Sequence, residues 1–263
     1  MTTRFITALD GVRIAYDLSG SGPLLLLLHS LPGQRASWHT YGYVEALSDT
    51  FTVALVDIRG FGESDAPDDP DAYNEERVLA DMLAVADACG AERFFVWGHS
   101  YGATIARQIA TKTDRVIRAV MAGGHFGAVF TEERVTPMLA ELDPLVEAQR
   151  EVRATGDLAA LDALDVPPEE REDALAYPAA SVAATLRALT QWEPVQPEQL
   201  RAPTLAYTGT RDERALVQLE AQRAALDAAH VQLVVFDGLD HGELISQRET
   251  VQPVVRRFLM GPQ

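Results

Sequence analysis

No passage of this chain narrows its possible folds as far as the one from Arg93 to Arg107. Arg93-Phe94-Phe95-Val96-Trp97 runs straight into Gly98-His99-Ser100-Tyr101-Gly102, and the helix-compatible Ala103-Thr104-Ile105-Ala106-Arg107 follows. The implied order is strand, sharp turn, helix. A turn that lifts a serine hydroxyl clear of a sheet brings backbone segments together, so it needs small residues two before and two after the serine. Gly98 and Gly102 supply them. A chance turn is the bland alternative, and the flanking strand and helix weigh against it.

The rest of the chain predicts the sheet that such a turn requires. Residues 4–8 and 12–18, split by Asp10-Gly11, form a hairpin pattern, because an Asp-Gly pair supplies the positive φ angles of a tight turn. Short apolar runs then alternate with helical patterns, at Leu24–Leu28, Thr52–Val56, Arg93–Trp97, Val116–Met121, Thr204–Tyr207 and Gln232–Phe236. Continuous runs of this kind are what parallel strands look like when helices cover both faces. The fold class expected is α/β, a mostly parallel central sheet with flanking helices. The alternation stops after Gly124 and resumes at Ala202, with helical patterns around 131–153, 157–164 and 169–190 in between. Residues 1–123 and 202–263 are therefore expected to form the core and 124–201 an inserted helical cap. In 124–200, 5 Arg and no Lys face 15 Asp and Glu, so this segment carries −10 of the formal net charge of −17.

A serine hydroxyl near neutral pH needs a base within hydrogen-bond reach, and the base needs a partner that fixes its tautomer. The strand Gln232–Phe236 leads into Asp237-Gly238-Leu239-Asp240-His241-Gly242, which puts His241 on a loop just past a strand end. His125, at the opening of the cap, is the competitor, and lining the pocket is its other reading. Thr204–Tyr207 leads into Thr208-Gly209-Thr210-Arg211-Asp212, so Asp212 can reach the same sheet edge and fits best as that partner; capping a helix over 213–228 is its other reading. Negative charge developing on a carbonyl oxygen needs two backbone N–H donors. One is expected from Tyr101, at the helix start, and one from Leu31, in the loop His29-Ser30-Leu31-Pro32-Gly33. Candidate substrate contacts are Ser30, His125, Phe126, Phe130, Met138 and Trp192, each of which could instead be packing.

With these motifs in place, the chain resembles the α/β-hydrolase superfamily, in its cap-bearing, serine esterase-like branch, over nearly its full length. His29-Ser30-Leu31-Pro32-Gly33 is similar to the family's His-Gly-x-Pro-Gly oxyanion loop, and Asp57-Ile58-Arg59-Gly60-Phe61-Gly62-Glu63-Ser64 matches its Asp-x-Arg-Gly-x-Gly-x-Ser loop. Gly209 to Asp212 has the family's glycine-to-acid spacing, the order Ser100, Asp212, His241 is the family's, and Glu249-Thr250-Val251 at the last helix is familiar. Ser30 departs from the pattern, standing where the family usually has Gly; its side chain could crowd the oxyanion loop or add a donor. The resemblance also implies that members which open epoxides or displace halide use an aspartate nucleophile, and Ser100 argues against both.

These readings lead to an expected cofactor-independent and metal-independent hydrolase of a carboxylic ester, acting on a small neutral substrate through an acyl-enzyme. The acidic cap would favour neutral or cationic over anionic substrates. The same triad serves lactone, thioester and C–C bond hydrolysis, perhydrolysis, acyl transfer and cyanohydrin lysis, and a low-turnover ligand receptor is the alternative of another class. A net charge of −17 disfavours nucleic acid and anionic membranes. Cys89 is the only cysteine, so no internal disulfide can form, and the first residues lack a secretory pattern. A cytoplasmic monomer or homodimer is expected.

Overall fold

A computed structural model describes residues 2–261. Its centre is an eight-stranded sheet: β1 (Arg4–Thr7), β2 (Arg13–Ser19), β3 (Leu24–Leu28), β4 (Thr52–Val56), β5 (Phe94–His99), β6 (Val116–Ala122), β7 (Thr204–Gly209) and β8 (Gln232–Phe236). The spatial order is β1-β2-β4-β3-β5-β6-β7-β8. The β1–β2 hairpin and the β2–β4 pair are antiparallel; every later pair is parallel. Gly11 turns the hairpin at φ 86°, and Asp10 Oδ1 accepts the Val12 N–H there.

Burial on both faces explains the unbroken apolar strands. Leu24, Leu26 and Leu28 enter one core cluster with Val78, Met82, Ile105 and Ile109, whereas Leu25 and Leu27 enter the other with Trp38, Tyr43, Trp97 and Val251. The helices supplying these partners are α1 (Glu75–Ala88) and α2 (Tyr101–Lys112) on the first face; on the second, Trp38 and Tyr43 come from the short helices Ala36–Thr40 and Tyr43–Leu47, and Val251 from the C-terminal helix Arg248–Met260. Each buried leucine stabilises the fold by roughly 1.5–3 kcal/mol.

Between β6 and β7 the regular elements are helices, apart from a two-residue bridge pairing Gly127 with Val195. Here α3 (Glu132–Thr155) packs on α4 (Ala179–Leu189), with short helices Ala159–Asp162 and Arg171–Ala176 between them. The helical pattern expected over 169–190 is broken at Tyr177-Pro178. A residue before proline is pushed out of the helical region, and Tyr177 is extended at φ −63°, ψ 131°. The helix expected over 213–228 is likewise two, Glu213–Ala221 and Arg223–Ala228.

Parallel register positions the site. Leu28 pairs with Val56 and Gly98, His99 with Ala122, Ala122 with Tyr207, and Gly209 with Phe236. The chain therefore leaves β3 through β8 along one sheet edge, and the loops holding Ser30, Asp57, Ser100, Asp212 and His241 share that edge.

Candidate active site

Ser100 lies directly after β5 with φ 55° and ψ −108°, a left-handed conformation that a non-glycine residue rarely adopts. Packing on either side enforces it. A Cβ on Gly98 would strike the Gly102 carbonyl, and one on Gly102 would strike the Leu28 carbonyl. Backbone bonds complete the turn: Ser100 N–H donates to the Ala122 carbonyl at 2.8 Å and Gly102 N–H to the His29 carbonyl at 3.0 Å. Ser100 is half-buried at the edge, and its hydroxyl makes no hydrogen bond among the described residues.

Asp212 precedes the helix Glu213–Ala221, yet its side chain makes no capping bond. Instead Oδ2 accepts from His241 Nδ1 at 2.8 Å and from the Thr208 hydroxyl at 3.3 Å. A proton on Nδ1 leaves the Nε2 lone pair of His241 free. The Asp212 side chain is 5% exposed and that of His241 is 35% exposed, so the carboxylate is sheltered and the imidazole is open to the edge. The His241 ring lies against Gly123, where a Cβ would come within 2.8 Å of its Cε1. Gly123 follows Ala122, the residue whose carbonyl holds Ser100. Thus the structure brings Asp212 and His241 into contact and carries Ser100 to the same sheet edge, with no hydrogen bond between the serine and the imidazole.

In the sequence His99 reads only as part of the serine motif. Its Nε2–H donates to the His241 carbonyl at 2.9 Å, and the two rings lie 5.1 Å apart. Burial, reinforced by the neighbouring His241, pushes its pKa down to about 4, so it is neutral at pH 7.

The loop after β3 is pinned by His29, which is fully buried. Its Nε2 accepts the Ile58 N–H at 3.0 Å, so Nδ1 carries the proton and donates to the Ser30 carbonyl at 2.7 Å. Burial lowers the His29 pKa and keeps the ring neutral. The Ser30 hydroxyl donates to the Pro32 carbonyl at 3.1 Å, so it is bonded within its own loop. The Leu31 and Tyr101 N–H groups make no hydrogen bond among the described residues. Behind the loop, Asp57 accepts the Arg35 N–H at 2.7 Å and the Glu63 N–H at 2.9 Å and pairs with the Arg35 guanidinium. Arg59 is held side-on by both Asp81 oxygens at 2.7 Å. Arg35 gave no signal as a single letter; only its buried contacts to Asp17 and Asp57 reveal its part in holding the loop.

The remaining candidates scatter. His125 is buried, its Nδ1 donates to the Phe126 carbonyl at 2.9 Å, and no carboxylate is hydrogen-bonded to it. Phe126 is 1% exposed in a core cluster with Ala103, Met121 and Leu219, so its ring is occupied by packing. Phe130 lies under the Arg134 guanidinium at 4.6 Å, Met138 is exposed, and Trp192 packs on Tyr101 with its Nε1–H donating to the Tyr73 carbonyl at 3.2 Å. A cavity of about 870 Å³ opens between the β3 loop and the helical segment, against Pro32, Gly33, Phe61, Gly62, Tyr177 and Ser181. Neither Ser100 nor any of the expected contact residues lines it. Among the described residues no group of His, Cys, Asp or Glu is arranged to hold a metal ion, and no helix is long and apolar enough to cross a membrane.

Comparison with known proteins agrees with this architecture. The family profile described as alpha/beta hydrolase fold matches residues 23–152. Epoxide hydrolase 2 of Siraitia grosvenorii is 31% identical over 119 residues, which span 44% of this chain and 37% of that enzyme. The chain thus spans well under half the length of the first relatives it matches. An uncharacterized protein of Mycobacterium tuberculosis is 30% identical over 287 residues, covering 98% of this chain and 81% of that protein. A thermophilic esterase from Thermogutta terrifontis superposes with a TM-score of 0.73 at 24% identity, covering 99% of this chain and 98% of the esterase.

Proposed function

This chain belongs to the α/β-hydrolase superfamily, and from that premise we propose that it hydrolyses carboxylic esters of small neutral substrates through an acyl-enzyme on Ser100. The observation that carries the reading is the 2.8 Å bond from His241 Nδ1 to the sheltered Asp212 carboxylate, which leaves Nε2 basic at the edge where the strained turn presents Ser100. In the proposed cycle His241 Nε2 takes the Ser100 proton as Oγ attacks the carbonyl carbon. The resulting imidazolium is stabilised by Asp212 and returns the proton to the departing alkoxide. Water then attacks the acyl-enzyme with the same base, and the acid leaves as Ser100 regains its proton.

The Leu31 and Tyr101 N–H groups receive the oxyanion in this scheme; both are unclaimed by other acceptors, and each such donor contributes roughly 3 kcal/mol in comparable sites. Residues 124–201 act as a cap over the mouth. The names of the epoxide hydrolase relatives do not transfer, because a serine alkyl ether formed by attack at an sp³ carbon has no carbonyl for water to attack, whereas an aspartyl ester has one. A panel of chromogenic esters of rising acyl length tests the proposal, run on the parent and on Ser100→Ala, with mass spectrometry after an organophosphonate. Turnover lost in Ser100→Ala and an adduct on Ser100 are expected. An adduct with no turnover of any acyl substrate overturns the esterase reading in favour of a binding protein.

A further inference from the structure

A second cavity, about 370 Å³, lies against α2, where the chain leaves the sheet and returns to it. It is bounded by Thr104 and Arg107 of α2, by residues 127–131 on the way out and by 189–194 on the way back. The two connections are fastened by the Gly127 N–H bond to the Val195 carbonyl at 2.7 Å. Arg107 is 2% exposed and has no carboxylate partner among the described residues. Glu75 and Glu193, the nearby acids, are both engaged by Lys112.

Only one nitrogen of the Arg107 guanidinium is used. Nη1 donates to the His125 carbonyl at 2.5 Å and to the Gly127 carbonyl at 3.4 Å. Nε is buried without a partner, and Nη2 makes no hydrogen bond among the described residues. Nε and Nη2 form the side-on edge of the guanidinium, the edge that takes both oxygens of a carboxylate. Burial draws the Arg107 pKa down to about 10, so the group stays charged at neutral pH. An unpaired buried cation is costly, and an anion in the adjoining cavity would relieve it.

We infer that this cavity binds a short-chain organic carboxylate, its head held side-on by Nε and Nη2 of Arg107 and its chain lying against Phe130, Leu189 and Trp192. A carboxylate fits better than a phosphate because the site offers one unclaimed cationic edge beside an apolar wall, too little positive charge for a dianion. The ligand would touch α2, the helix that starts at Tyr101, together with both connections of the 124–201 segment. Carboxylates are also the product class of ester hydrolysis, so the site would respond to accumulated acid; its existence does not depend on the chemistry proposed for Ser100.

Calorimetric titration with hexanoate, hexan-1-ol and inorganic phosphate tests this, together with thermal shifts. One hexanoate per chain is expected, with hexan-1-ol and phosphate each binding at least tenfold more weakly. Arg107→Lys keeps the charge but loses the side-on edge, and should weaken hexanoate at least tenfold. Ala128→Trp, at an exposed position on the rim, should do the same without touching Arg107, which keeps the test valid if the Arg107 variant folds poorly. Hexanoate binding undiminished in Ala128→Trp, equal affinity for hexan-1-ol or phosphate, or no binding at about 20 mM overturns the inference.

Discussion

Asp212→Asn removes one charge and one acceptor from the pair on which the proposed chemistry turns. A 2.8 Å contact between Nδ1 and Oδ2 puts the centres of charge of an imidazolium and a carboxylate about 4 Å apart. At an effective dielectric near 20 that attraction is worth about 4 kcal/mol, absent while His241 is neutral and present once it has taken the serine proton. It therefore acts on the transition state, and about 4 kcal/mol corresponds to roughly a thousandfold in rate. Asparagine has a second effect: its amide can donate to Nδ1, which would move the imidazole proton to Nε2 and remove the base. The expected loss in kcat is therefore about 10³ to 10⁴, with KM within about threefold of the parent. The measurement is initial-rate hydrolysis of a short-chain chromogenic ester near pH 7.5, with a urea unfolding curve to verify the fold. A folded Asp212→Asn protein that keeps more than about a tenth of the parent kcat would refute the assignment of Asp212 as orienting acid.

Three further outcomes follow from the same geometry. Ser100→Gly abolishes turnover yet raises stability by about 1 kcal/mol, because glycine relieves the positive φ of Ser100; a lower melting temperature than the parent's would show that the turn holds no such strain. Gly102→Ala drives a methyl into the Leu28 carbonyl and should cost about 3 kcal/mol or more, read from the urea midpoint; a loss below about 1 kcal/mol would mean that the turn opens easily. His99 titrates near 6.5 when unfolded and near 4 when folded, so stability present above pH 6.5 is lost as pH falls toward 4, by about 3 kcal/mol in full. His99→Gln can keep the donor to the His241 carbonyl while removing that component, and equal acid sensitivity in parent and variant would count against it.

What the sequence disclosed, and what it hid, follows from how far each feature depends on distant contacts. Leu24–Leu28, Thr52–Val56 and Gln232–Phe236 are strands over those same residues, because a run buried on both faces declares itself locally. β5 and β7 continue past their expected ends to His99 and Gly209, since backbone pairing with Ala122 and Phe236 persists where side chains turn polar or vanish. The apolar pattern around Pro178 suggests one helix over 169–190, and the break there shows only in the backbone. Phe126 could not be told from a pocket residue, because its partners Ala103 and Leu219 come from distant parts of the chain. Arg35 and Arg107 were equally silent, and both matter through contacts made after the sheet has formed.

The candidate catalytic residues share one edge of the sheet for a physical reason. In a parallel sheet every strand ends at the same edge, so a residue placed shortly after a strand end is carried to that edge whatever lies between strands. Ser100 directly after His99, Asp212 after Gly209 and His241 after Phe236 are therefore carried to one edge by register, through Ala122 opposite His99, Tyr207 opposite Ala122 and Phe236 opposite Gly209. Pocket residues in 124–201 have no such constraint. Their positions depend on how α3 and α4 pack, which helical periodicity alone does not determine: it groups residues on a face but leaves open what that face meets. Substitutions at the strand ends should therefore act on kcat, and substitutions on α3 and α4 on substrate choice. Exchanging Leu139 or Leu142 for alanine and comparing kcat/KM across the acyl-length panel separates the two; a uniform fall in kcat for every ester would place these helices in the chemistry itself.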